Sequence, residues 1–253
     1  MHNKIKTPKE ISNIRQSGSI LEQVIQFVVQ HTKPGMSTKD LADLSLSKLN
    51  EHQYAKPVFL NYHGFPHVMC VSVNDQVIHG IPKSNKILHD GDVVSVDFGV
   101  NYKGMITDAA RTFVVGNTNS SKRLLLEKTE QALLSGISVV KNTVRVGTIS
   151  SAIQKVLDDA KLGIVREYVG HGVGHKLHEN PNIPNYGVKN TGPELLSGMT
   201  IAIEPMAMLG NEKVYVENDG WTVSTSDGSL SAHFEDTVLV TDDGFEILTR
   251  STE

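Results

Sequence analysis

Cysteine is almost absent from this 253-residue chain. Its one example, Cys70, excludes an intrachain disulfide and fits a reducing compartment. Neither sign of charge is in excess. Twenty-four Lys and Arg against 28 Asp and Glu leave a formal charge of −4, and the basic residues form no run, so nothing favours nucleic acid or an anionic membrane as partner. No stretch approaches the roughly 20 apolar residues that a membrane-spanning helix needs. Near the start, Lys4, Lys6, Lys9 and Arg15 are interleaved with a helical pattern and no separate apolar segment follows, which argues against a secretory signal. The expected location is cytoplasmic. Gly/Ser-rich, Pro-rich and low-complexity segments are missing too, so no linker divides the chain. With 39% hydrophobic residues it can bury a full core, and we expect one α+β domain over 1–253.

Thr7-Pro8-Lys9-Glu10 reads as a helix start, with Thr7 as cap, Pro8 in the first turn and Glu10 closing a capping box. Ile11, Ile14, Gly18, Leu21, Ile25 and Val28 follow at helical spacing until Pro34-Gly35. Ser37 or Thr38 can cap a second helix. Strand patterns come next at 68–73, 93–100 and 112–115, separated by turn chemistry. Helical periodicity then returns from about 122 to 140 and from about 149 to 162, again followed by short strand-like runs. This recurrence predicts two related halves, about 1–120 and 121–253, with a site in the cleft between them.

Carboxylates stand where apolar strands should be. Asp97 lies in Val93-Val94-Ser95-Val96-Asp97-Phe98, Glu204 ends Thr200-Ile201-Ala202-Ile203, and Glu235 sits inside an apolar run over 232–240. A buried unpaired carboxylate is costly unless a partner or a metal compensates it. Any one of them alone would pass as a solvated or salt-bridged acid. Together with Asp108 and His171 they form a set of oxygen and imidazole donors suited to two divalent ions, with Mn, Fe, Co and Zn all tolerated. Such a pair activates water for hydrolysis.

His171 belongs to Gly170-His171-Gly172-Val173-Gly174, whose alternate glycines argue against a helix and permit close backbone approach. The segment fits neither the zinc-helix signature, since position 182 is Asn, nor a phosphate-binding loop. His79 follows an apolar run and could equally be a satisfied core histidine. No Ser or second His is placed to activate Cys70 as a nucleophile.

Read together, several ordered segments resemble the type I methionine aminopeptidases over about 5–249. They include Asn61-Tyr62-His63-Gly64-Phe65-Pro66, His79-Gly80-Ile81-Pro82, Val96-Asp97, Thr107-Asp108, the glycine-rich segment with Leu177-His178-Glu179-Asn180-Pro181, Ile203-Glu204-Pro205, Trp221 and Phe234-Glu235. The resemblance implies the pita-bread fold, an α+β domain of pseudo-twofold halves around a central antiparallel sheet. It implies removal of initiator methionine from N-terminal Met peptides and nascent chains when the second residue is small. Asp97 would chelate one metal, His171 and Glu204 the other, and Asp108 and Glu235 would bridge; Glu204 also joins His79 and His178 as a catalytic residue. His79 would hydrogen-bond the scissile amide or help shuttle its proton, and His178 would stabilise its carbonyl oxygen. Phe59, Tyr62, Phe65, Cys70, Leu177 and Trp221 would form the methionine pocket. A monomer with transient ribosome association, no nucleic-acid substrate and no membrane completes the expectation.

Too few positions separate His178 from Glu204 for the inserted helical subdomain of the type II enzymes, and the N-terminus shows neither a zinc-finger extension nor the extra domain of proline-specific relatives. Three positions depart from the family pattern. His233 stands where Gln is more frequent, Asp236 where His is usual, and Leu177 where Phe is common. None removes an implied ligand. An inactive adaptor of the same fold would ordinarily lack one or more of the five, and a proline-specific peptidase would cleave Xaa-Pro in preference to Met-Ala.

Overall fold

The computed structural model describes residues 5–251. Lys4 lies outside them, as do the ends of the expected 1–253 domain. Helix α1 (Pro8–His31) opens with the expected capping box: Thr7 Oγ1 accepts from the Glu10 N–H at 3.3 Å, and the Glu10 carboxylate accepts from the Thr7 N–H at 2.8 Å. Ser37 caps α2 (Thr38–Leu49) in the same way through Asp40. Both helices bury their apolar faces on a four-stranded antiparallel sheet of Ala55–Pro57, Cys70–Val73, Val93–Tyr102 and Met105–Val114.

The second half repeats the scheme. Helices α3 (Ser120–Ser138) and α4 (Val146–Asp159) share a core with a five-stranded sheet ordered Phe245–Ile247, Asp236–Val240, Thr200–Ile203, Gly170–Gly172 and Glu179–Ile183. The halves are stitched through the backbone. Ala110 and Glu235 exchange hydrogen bonds of 3.3 and 3.0 Å, and Thr237 Oγ1 accepts from the Asp108 N–H at 2.9 Å while donating to the Asp108 carbonyl at 2.8 Å. A small sheet also crosses over, with Gln76–Ile78 beside Val223–Thr225. The interior between the halves is a separate apolar cluster that includes Phe59, Phe65, Cys70, Val173 and Leu177.

Two strand boundaries differ from expectation. The strand read at 112–115 is the end of Met105–Val114, a full-length partner of Val93–Tyr102. Its first part, Thr107-Asp108-Ala109-Ala110-Arg111, is weak in β-branched residues, and cross-strand pairing overrides that weak propensity. The run over 232–240 is two strands in different sheets, Ser231–His233 and Asp236–Val240. Phe234 and Glu235 make the passage, and Glu235 is the residue that bridges to the other half.

Candidate metal centre

Strand register explains why five distant residues converge. Asp97 faces Ala110, and Gly99 faces Asp108, so the two acids are diagonal neighbours on one face of the hairpin. His171 faces Ala202, which makes Glu204 its diagonal neighbour on the second sheet. Ala110 pairs with Asp97 on one side and Glu235 on the other, so Glu235 extends the row that carries Asp97. The glycines beside His171 permit the tight spacing: a Cβ at Gly170 would lie 2.4 Å from the Ala202 carbonyl oxygen, and one at Gly172 would lie 2.6 Å from that of Asn180.

Asp108, His171 and Glu235 are each at most 5% exposed, and the Glu204 side chain is 12% exposed. Burial pushes all four carboxyl groups up, and their mutual repulsion adds to it for Asp97, Asp108 and Glu235; Asp108 and Glu204 reach about 8. Asp97 Oδ1, Asp108 Oδ1 and Glu235 Oε1 have no hydrogen-bond partner among the described residues. His171 donates Nδ1–H to the Gly172 carbonyl at 2.9 Å, which leaves the Nε2 lone pair free, 3.6 Å from Glu204 Oε1. Its burial drives the ring down to about 3, so it stays neutral. Orphaned carboxylate oxygens around a neutral imidazole fit a divalent cation. Two three-residue sets, sharing Glu235, bring their donor atoms within 4.8 Å of one another: Asp108, His171 and Glu235, and Glu204, His233 and Glu235.

The cluster floors a cavity of about 150 Å³. The sequence-read residues all line it: the five donors, His79 and His178, and the apolar set Phe59, Tyr62, Phe65, Cys70, Leu177 and Trp221. Phe65 and Trp221 meet edge to face at 5.3 Å. Tyr62 Oη and His178 Nδ1 are hydrogen-bonded at 2.8 Å, and the His178 and His171 rings stand 4.3 Å apart. His79 takes a left-handed backbone, φ 58°, between Ile78 and a glycine packed on Val71; burial lowers its ring to about 4, helped by the charges of His233 and His178. Three lining residues escaped the sequence reading: Ile78, Tyr168 and Val169. Tyr168, edge-on to His79 at 5.7 Å, carried one faint signal, an aromatic just ahead of the glycine-rich segment.

The model of metallopeptidase family M24 matches residues 12–242. Methionine aminopeptidase 1 of Bacillus subtilis is 45% identical over 97% of this chain and 98% of its own length. The Escherichia coli K12 methionine aminopeptidase is 39% identical over 97% and 93%. The crystal structure of methionine aminopeptidase from Thermotoga maritima superposes with a TM-score of 0.95 at 42% identity, covering 98% of this chain and 99% of that one. Prolidase from Pyrococcus furiosus, at 23% identity and a TM-score of 0.76, shares the fold and is covered over 66% of its length. The architecture is therefore the pita-bread fold, and divalent metal binding goes with the family. With the match running nearly end to end, this chain belongs to the methionine aminopeptidases of metallopeptidase family M24.

Proposed function

We propose that this protein removes N-terminal methionine from peptides and nascent chains by metal-dependent hydrolysis, preferring a small second residue. The observation that carries the reading is a buried set of unpaired carboxylates with one neutral imidazole at the floor of an apolar cavity. Asp97, Asp108, His171, Glu204 and Glu235 would hold two divalent ions drawn from Co, Mn, Fe or Zn. When bound, such ions supply Lewis acidity and lower the pKa of water toward neutrality.

The protein's own residues then divide the work. Phe59, Tyr62, Phe65, Cys70, Leu177 and Trp221 enclose the side chain of the first residue, forming the apolar wall of a cavity of about 150 Å³ whose floor is the carboxylate and histidine cluster. Cys70 contributes shape only, because burial and the nearby carboxylates raise its thiol well above its usual range. His79 is neutral at pH 7 and can donate to the scissile amide nitrogen or accept from it. His178, hydrogen-bonded to Tyr62 through Nδ1, would donate to the carbonyl oxygen as negative charge develops there. Glu204 is the carboxylate that takes a proton from water and returns it to the leaving amine.

The backbone exchange between Ala110 and Glu235 supports treating the chain as a single catalytic domain whose halves meet near residue 120. Among the described residues no helix is long and apolar enough to cross a membrane; that the protein is a cytoplasmic monomer meeting its substrates near the ribosome is part of the proposal. The test is release of free methionine from Met-Ala-Ser by metal-stripped protein, with and without added Mn or Co, beside Ala-Pro-Ala. Metal-dependent release from the methionine peptide alone is expected. Cleavage of the proline peptide instead would leave the site right and the substrate wrong, and no release with any metal would remove the activity altogether.

A further inference from the structure

His233 is one of the three departures from the family pattern, and its position differs from that of an ordinary core histidine. Its backbone is pinned at both ends by one hydroxyl: the His233 N–H donates to Thr112 Oγ1 at 2.9 Å, and Thr112 Oγ1 donates to the His233 carbonyl at 2.7 Å. Ser95 in turn holds Thr112 at 2.8 Å. The strand Ser231–His233 pairs with Met206–Met208, which fixes the direction of the side chain. The ring is 2% exposed, and its Nε2 has no hydrogen-bond partner among the described residues. That nitrogen lies 3.4 Å from Glu204 Oε2 and 3.7 Å from Glu235 Oε2. Glu204 therefore stands between two imidazoles, Oε1 toward His171 and Oε2 toward His233.

We propose that His233 is a sixth donor of the metal centre, its Nε2 ligating the ion held by Glu204 and Glu235. The proposal rests on the metallopeptidase reading and deepens it: the centre holds two imidazole nitrogens where the family pattern, with glutamine at this position, offers one. A second imidazole suits Co, Ni or Zn better than Mn or Mg, which prefer oxygen, so His233 shifts the metal preference of this chain toward the nitrogen-favouring ions.

The test uses the metal-stripped whole protein with ¹⁵N-labelled histidine, titrated with Zn while the imidazole nitrogens are followed by NMR. The expected result is that Nε2 of His171 and Nε2 of His233 both move to metal-bound positions. In parallel, calorimetric titration of the wild type and of His233→Gln should show a Co equivalent weakened by more than the roughly 10–100-fold that loss of an outer partner costs, and the Mn equivalents weakened less. A shift at His171 with His233 unmoved, and equal Co affinities in the two proteins, would overturn the proposal and leave the metal centre standing. Absence of metal binding by the wild type would sink the centre and His233's place in it together. Because the NMR experiment uses the unaltered chain, the outcome does not depend on the variant folding.

Discussion

Glu235 and Asp236 are neighbours in sequence, equally buried, and opposite in design. Asp236 is surrounded by its complement: Arg111 Nη2 donates to it at 2.8 Å, Arg250 Nε at 2.5 Å and Thr249 Oγ1 at 2.8 Å. Arg111 also donates to the carbonyls of Ala110, Glu235 and Thr249, so its guanidinium ties the C-terminal strands to the first half. Glu235, one residue earlier and on the other face, has an orphaned oxygen and the repulsion of Asp108, Glu204 and Asp97, with a further push from Asp236. A buried acid that serves the fold brings its countercharge from the chain; one that serves a metal leaves the countercharge to be supplied. The departures from the family pattern divide along the same line, Asp236 into the structural network and His233 toward the centre.

The largest effect that tests this contrast is on turnover. Asp108→Ala or Glu235→Ala should lower methionine release by more than the roughly 10–100-fold cost of losing an outer partner. The same variants, stripped of metal, should melt no lower than the wild type, because each removes a source of repulsion. Near-normal activity in either variant would end the two-ion reading. Asp236→Ala should do the reverse. It leaves buried Arg111 without its closest carboxylate, a change expected to cost about 3–5 kcal/mol, or a melting shift of about 6–20 °C at this chain length. A melting point that fell as far in Asp108→Ala as in Asp236→Ala would erase the distinction.

Acidity offers a third handle. Asp108 and Glu204 have folded-state values raised to about 8, so between their ordinary range and pH 8 the metal-stripped native state holds more protons than the unfolded chain. Below about pH 6.5 the buried neutral rings of His79, His171 and His233, which the unfolded chain protonates, act in the opposite sense, so the fall in stability of the stripped protein should show from about pH 7 to 8, by up to about 1.4 kcal/mol per pH unit for each proton retained. Mn or Co requires the ionised groups, so stabilisation by metal should grow over the same window. Melting curves at pH 5, 6, 7 and 8, with chelator and with Mn, check both signs; a stripped protein that gained stability toward pH 8 would contradict the repulsive arrangement.

Much of this arrangement was legible because the residues break local rules. An acid in Val93-Val94-Ser95-Val96-Asp97 contradicts its own strand pattern, and the glycines flanking His171 announce close packing. The capping box at Thr7 was equally local and readable, whereas for the second helix the sequence left Ser37 and Thr38 open and the structure makes Ser37 the cap. What stayed hidden depends on register between distant strands. Nothing near Asp108 marks it as mid-strand, because its strand is defined by pairing with Val93–Tyr102 and not by its own composition. Nor could the sequence separate the two faces of 233–236; that split arises where Phe234 and Glu235 pass from one sheet to another.

The smallest predicted effect falls on a group that lies between the two extremes. His178 borders the cavity like the proposed metal ligands, yet one of its ring nitrogens has a partner from the chain, the Tyr62 hydroxyl. That partner is a neutral group, worth about 0.5–1.5 kcal/mol, so Tyr62→Phe should reduce kcat by roughly 2–12-fold. The phenyl ring remains in the pocket wall, and KM should hardly change. His178→Ala removes the proposed donor to the developing oxyanion and should cost about 10²–10³-fold in kcat. The pair of variants ranks the partner below the group it orients. Equal losses in kcat would instead place the Tyr62 hydroxyl itself on the substrate, and a change confined to KM would reduce Tyr62 to a wall of the pocket.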